Sequence, residues 1–280
     1  MPDTANAAQV EYWNAVAGQT WVEFQLQLDR QIEPLGAEAM RALSPAKGER
    51  ILDIGCGCGQ TSVELAGRVG VSGAVVGIDI SEPMLGVARA RTIAPASATP
   101  QFRQVDAQTG DLGQGGFDAV FSRFGVMFFA DPTAAFVNIR KSLKPSGRLS
   151  FVCWRPFQEN FWMRAPMEAA TPFLPPSPPT DPTAPGPFAF ADSGRLLSIL
   201  EDAGFSAVAI EPFDARIGGN DIDQTVTLAF RVGPLGAALR EHPDCADVIA
   251  KAVRETVAPF ATPNGVLMPA AVWIVSARSR

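Results

Sequence analysis

Residues 51–61 read ILDIGCGCGQT, and the fold follows from how this stretch is taken. Three readings compete: a dinucleotide-binding turn, a CxC metal or redox site, and a binding loop for another nucleotide-like cofactor. Gly55, Gly57 and Gly59 give GxGxG, and Gln60 stands where the dinucleotide fingerprint GxGxxG has its third glycine. Alternating glycines let the backbone bend and approach a ligand without Cβ interference. Asp53 ends the preceding strand-like run, two residues before the first glycine. A carboxylate there repels a pyrophosphate and favours an ammonium or a hydroxyl, so the expected ligand is nucleoside-like and carries no phosphates. The metal reading fails on spacing, because zinc sites separate their thiolates by two to four residues and use four ligands. Here a single residue separates Cys56 from Cys58, and the only histidine is His242.

Working outward, strand-like runs occur at 50–54 (RILDI), 74–79 (AVVGID), 101–105 (QFRQV), 117–122 (FDAVFS) and 147–154 (GRLSFVCW). Helical patterns at 60–69, 82–92 and 132–143 separate most of them. Continuous apolar, β-branched runs alternating with helices predict a mostly parallel sheet covered on both faces. Later strands at 206–213 and 268–278 complete a doubly wound α/β fold of seven strands, one antiparallel, with helical lid insertions. Asp79 ends the second run, 20 residues after Gly59, where such folds hold a ribose diol. Asp106 follows the third and could reach an exocyclic amine. Three acids at the C-terminal ends of neighbouring strands mark the crevice where open α/β sheets bind ligands.

The ordered series ILDIGCGCGQT, VVGIDISEPML, QFRQVDAQ, FDAVFSRFGVMFFADP and LKPSGRLSFVCW resembles the class I S-adenosylmethionine (SAM)-dependent methyltransferases. It is most similar to the small-molecule enzymes of the ubiquinone/menaquinone type. The likeness covers about residues 45–155. It implies that Asp53, Gly55, Gly57 and Gly59 line the methionyl and ribose side of SAM and that Asp79 holds the ribose hydroxyls. Ile80 would pack on adenine, Asp106 with the backbone of Ala107 would read its edge, and Ser122 and Arg123 would face the methionine moiety. The implied cofactor is SAM and the product S-adenosylhomocysteine.

Methyl transfer from a sulfonium is an in-line displacement, for which a protein supplies proximity, alignment and exclusion of water. Residues 8–31 look helical, with a break near Gly18, and carry Tyr12, Trp13, Trp21 and Phe24. Aromatic faces suit a cation, so this leader is expected to act as a lid, with Tyr12 and Trp21 against the cofactor. A second helix is expected at 35–45. The acceptor pocket is expected between Phe124, Met127, Phe128, Trp154, Phe157, Phe161 and Trp162, which implies a rather apolar small molecule. Arg155 and Arg164 could pair with an acidic group on it. No base stands out: His242 is a weak candidate by residue type, and Glu159, Glu168, Asp221 and Asp223 carry no preference. The stretch GGNDID at 218–223 has Val232 where a calcium loop needs glutamate, and it reads as a turn.

These readings divide the chain into a helical lid (1–45), a cofactor-binding core (46–155), a proline-rich cover (156–190) and a C-terminal part (191–280) with a helical insertion at 218–262. The cover holds ten of the 24 prolines between Pro156 and Pro187; its later part can be neither regular helix nor central strand. Asp192 is read as the cap of a helix that Gly204 closes. A net charge of −6 and a pI near 4.9 argue against nucleic acid as a partner, and SRFGVMFF stands where a DNA-base methyltransferase carries (N/D)PP(Y/F). Four scattered cysteines make no disulfide framework. No apolar run reaches membrane-spanning length and no secretory leader is visible, so a cytoplasmic monomer or homodimer without metal is expected. Methylation of a peptide or protein, and SAM binding without turnover, remain the alternatives.

Overall fold

The computed structural model describes residues 6–176 and 181–280. Three leader helices come first: α1 (Ala7–Asn14), α2 (Val16–Glu23) and α3 (Gln25–Leu43). The core continues with β1 (Arg50–Ile54), α4 (Gln60–Val69), β2 (Ala74–Asp79), α5 (Glu82–Arg89), β3 (Gln101–Gln104) and β4 (Phe117–Arg123). Then follow α6 (Pro132–Ser142), β5 (Leu143–Trp154), α7 (Phe161–Ala170), α8 (Ser193–Asp202) and β6 (Phe205–Asn220). The chain ends with α9 (Ile222–Arg231), α10 (Gly233–Glu241), α11 (Ala246–Val257), β7 (Ala261–Thr262) and β8 (Gly265–Ser279).

Seven strands form one sheet in the order β3-β2-β1-β4-β5-β8-β6, and the two-residue β7 pairs with β8 in addition. The β1–β2, β2–β3, β1–β4 and β4–β5 pairs are parallel, whereas β8 runs antiparallel to both β5 and β6. This is the mixed seven-stranded α/β sheet expected from the sequence. Its strand order reverses between β1 and β4, which opens a crevice at their C-terminal ends. Neighbouring residues of β5 show both faces at work. The Ser150 hydroxyl donates to the Ala39 carbonyl of α3 at 2.9 Å, while Phe151 faces the other way and stacks on Phe136 of α6 at 5.6 Å.

The leader breaks at Ala15 and Phe24, not at Gly18, which lies inside α2. A Cβ on Gly18 would fall 2.1 Å from the Trp13 carbonyl oxygen, so glycine serves close packing there. The end of the leader expected over 8–31 and the helix expected at 35–45 are one helix, α3. Pro34 removes a helical bond from α3, yet Leu28, Ile32, Leu35, Ala39 and Leu43 form a continuous buried stripe that holds the helix on the sheet. Likewise 218–262 is not helical throughout. The β6 strand runs to Asn220 and pairs with β8 as far as Val266, with Gly218, Gly219 and Gly265 at positive φ where the two strands meet the helical insertion. As an edge strand, β6 also tolerates Pro212. The Asp221 carboxylate then caps α9, accepting from the Gln224 amide at 2.8 Å.

A second apolar cluster, separate from the main core, joins α7, α9, α10 and α11 through residues such as Leu235, Ile249 and Val253. Within the proline-rich segment, α7 is regular despite Pro166; of the stretch 172–187, residues 177–180 lie outside the described residues. The Asp192 carboxylate caps α8 as expected, accepting from the amides of Gly194 and Arg195. Among the described residues no helix is long and apolar enough to cross a membrane.

Candidate active site

The glycine loop joins β1 to α4, with Gly55, Gly57 and Gly59 at φ of 65°, 52° and 83°. This left-handed region costs other residues about 1–2 kcal/mol, and a Cβ on Gly55 would lie 2.6 Å from the Gly125 Cα. Asp79, at the end of β2, holds the loop: its carboxylate accepts from the Gly57 amide at 2.8 Å and the Ser81 amide at 2.9 Å. Burial pushes its pKa up, against the pull of those donors. Cys56 and Cys58 are buried in the same loop, and desolvation raises both thiols, that of Cys58 to about 12. Burial thus disfavours the reactive thiolate form of both.

Over the loop opens a cavity of about 410 Å³. Gly55, Gly57, Asp79, Ile80, Asp106 and Ala107 line one half; Phe124, Met127, Phe128, Trp154 and Trp162 line the other. Tyr12, Trp13, Trp21 and Arg123 also reach it. The aromatic half has a fixed platform. Phe124 and Trp154 stack with centroids 4.2 Å apart and planes 11° apart, although Phe124 holds a φ of 61°. Its amide donates to the Val152 carbonyl at 3.1 Å, extending the β4–β5 ladder through the strained residue.

The leader closes the roof. Its Trp13 packs edge-on against Phe128 at 5.1 Å, and the Ser81 hydroxyl donates to the Trp13 carbonyl at 2.7 Å. Asn14 donates to the Ile80 carbonyl at 2.9 Å and accepts from the Glu82 amide at 3.0 Å. Asn6 donates to both Asp106 oxygens at 3.1 Å and accepts from the Ala130 amide at 3.0 Å. On the opposite side, Asp29 of α3 bridges Arg91 at 2.7 Å and Arg123 at 2.9 Å. Arg123 also donates to the Gln60 side chain at 2.5 Å.

Several expected residues lie off the wall. Asp53 is fully buried beneath the loop, where one oxygen accepts from the Thr61 hydroxyl at 2.7 Å and the Ser62 hydroxyl at 2.6 Å. These hydroxyls belong to the first turn of α4. The other Asp53 oxygen is buried without a partner, and desolvation lifts the carboxyl pKa to about 6 against those hydrogen bonds. Ser122 is also buried and donates to the Ile54 carbonyl at 2.7 Å. Gly59 is needed for packing, since a Cβ would meet that of Ala88 at 2.8 Å. Phe157 backs the wall through Phe188 at 5.6 Å, and Phe161 belongs to the second core, against Phe260 at 5.2 Å.

His242 caps the end of α10 away from the cavity. Arg155 pairs with Asp214 and Glu159, and Arg164 with Glu168, and neither lines the cavity. Asp223 pairs with Arg254. Sequence reasoning missed Asn6, Thr20, Gln31, Met84, Phe188, Arg231 and Arg240, all on the wall. Gln31 alone left a trace, as a polar residue inside the apolar stripe of α3. Among the described residues, the aromatic half carries no carboxylate and no histidine.

Residues 51–147 match the family described as methyltransferase domain. The chain is 34% identical over 113 residues to a demethylmenaquinone methyltransferase of Lactococcus lactis, covering 40% of this chain and 45% of that protein. It is 33% identical over 118 residues to an aklanonic acid methyltransferase of a Streptomyces species, covering 42% and 54% respectively. The chain thus spans about half the length of these curated relatives. Its fold resembles a solved SAM-dependent methyltransferase from Aquifex aeolicus, with a TM-score of 0.51, 14% identity and 98% of each chain covered.

Proposed function

We propose that this chain, whose residues 51–147 match a methyltransferase domain, transfers a methyl group from SAM to a small, largely apolar acceptor. The observation that carries the reading is the cavity itself. One half is a glycine loop tied to the buried Asp79 carboxylate, and the other is a stacked aromatic platform.

The residues present fit SAM. Gly55 and Gly57 offer a backbone without Cβ atoms at the cavity wall. Asp79 spends one hydrogen bond on each of two amides, and a carboxylate has about four acceptor positions, which leaves capacity for a ribose diol. Ile80, Met84 and Ala107 suit a flat apolar ring, and Asp106 suits an amine at its edge. A volume of about 410 Å³ lies in the range of small-molecule sites. When bound, SAM supplies a methyl group on a sulfonium, open to in-line attack.

The chain's own part is binding and alignment. Asp79 and Asp106 would orient the nucleoside, and Arg123, held by Asp29 and Gln60, would stand at the methionyl end. Trp13, Trp21 and Phe128 would exclude water from above, while Phe124 and Trp154 would hold a flat acceptor against the reacting face. The relatives' printed acceptors, demethylmenaquinone and aklanonic acid, support a small molecule over a macromolecule. Calorimetric titration with SAM, S-adenosylhomocysteine and NAD tests the cofactor. Binding of the first two and not of NAD is expected; binding of NAD alone would overturn the reading.

A further inference from the structure

We propose that Gln31 hydrogen-bonds an oxygen of the acceptor, and that the acceptor carries a short alkyl branch beside that oxygen. The inference rests on the methyltransferase reading and specifies its acceptor. Gln31 sits in the buried stripe of α3 with only 9% of its surface exposed. It lines the main cavity and also a second, apolar slot of about 40 Å³, so it stands at the neck between them. Its amide makes no hydrogen bond among the described residues. It is not one of the sealed, unpartnered polar atoms either, so it opens into the cavity.

Buried polar side chains are ordinarily satisfied, and an open amide at a neck otherwise formed by Leu28, Trp162, Met163, Val232 and Pro234 suits a ligand atom. Trp162 shares both walls, but its indole N–H is sealed from them, so among the described residues Gln31 is the polar side chain of the neck that opens to a ligand. An amide offers a donor and an acceptor together, which matches a hydroxyl or carbonyl oxygen on an aromatic body.

Beyond the neck, the slot is walled mainly by Ile217, Leu228, Ala229, Val266 and Met268, and the hydroxyl of its polar member Thr225 donates to the Asp221 carbonyl at 2.7 Å. A volume of about 40 Å³ corresponds to about three water-sized positions, and so apolar a space takes hydrocarbon rather than water. It has room for a branch of two or three carbons and not for a long chain.

The test uses the full chain saturated with S-adenosylhomocysteine. Naphthols bearing hydrogen, methyl, propyl or hexyl beside the hydroxyl are titrated calorimetrically, each against the naphthalene lacking the hydroxyl. Each buried methylene is worth about fourfold in affinity, so propyl should bind more than tenfold tighter than hydrogen, and hexyl no tighter than propyl. The hydroxyl should add about tenfold. Gln31→Leu should abolish the hydroxyl preference, keep the alkyl preference and leave the S-adenosylhomocysteine affinity unchanged. Ala229→Leu, which fills the slot, should do the converse. A hydroxyl preference that is absent from the wild type, or that survives in Gln31→Leu, overturns the proposal. So does Gln31→Leu weakening S-adenosylhomocysteine and naphthols alike. Failure of the wild type to bind S-adenosylhomocysteine would overturn the methyltransferase reading, and this inference with it.

Discussion

Phe124 lies flat on Trp154, centroids 4.2 Å apart, while its own backbone is held at a φ of 61°. A left-handed phenylalanine at the end of a parallel strand stores strain, and such strain gathers at working sites. Phe124→Gly should therefore regain about 1–2 kcal/mol of backbone energy, offsetting part of the lost packing. Set against the roughly 3–5 kcal/mol that a buried phenylalanine side chain contributes, the net loss should be about 2 kcal/mol. The melting temperature should then fall by several degrees, whereas kcat/KM for the acceptor should fall at least tenfold. A large loss of stability with unchanged kcat/KM would make the stack purely structural.

Asp79 ties the loop to β2 through two amides. Asp79→Ala leaves both donors without their partner, at a cost of about 2 kcal/mol, and should abolish the rise in melting temperature that SAM produces. The check is a thermal shift with and without SAM, alongside circular dichroism to show that the sheet persists. An undiminished SAM shift would remove Asp79 from the site.

Asp53 gives a pH signature. Its folded pKa is raised by burial to about 6, above the unfolded value of about 3.9. The folded state thus holds the proton more tightly, and stability from this group is lost as pH rises between those values. Protonated aspartate and asparagine are near-isosteres, so Asp53→Asn should match the wild type at about pH 4 and exceed it by up to about 3 kcal/mol at pH 7. Urea unfolding at both pH values measures the difference; a gap that does not widen with pH contradicts the assignment.

Asn6 fastens the leader by its bonds to Asp106 and Ala130. Asn6→Ala should raise amide hydrogen exchange across Ala7–Asn14 severalfold and leave β4 and β5 unchanged. Equal exchange in variant and wild type would mean that the aromatic contacts of Trp13 alone hold the lid.

What the chain disclosed of itself follows from the range of the interactions involved. The parallel core was legible because period, glycine loop and acids at strand ends are local signals, and β1 to β5 formed close to where they were expected. The pairing of β6 with β8 ran longer than expected because it is decided across the sheet. Asp53 and Ser122 occupied the right stretches yet turned into the interior, since alternation along a strand sends neighbouring side chains to different surroundings. Gln31 and Asn6 join the site only through tertiary closure of the leader. The break at Ala15 and the passage of α3 through Pro34 likewise depend on packing that no local pattern records.

The central claim is methyl transfer from SAM to a small molecule. Its most direct test incubates the chain with methyl-labelled SAM and a cell extract, then separates small molecules, protein and nucleic acid. Label in the small-molecule fraction, lost with Asp79→Ala, is the predicted result. Label confined to protein or nucleic acid, or no label despite demonstrated SAM binding, would contradict it.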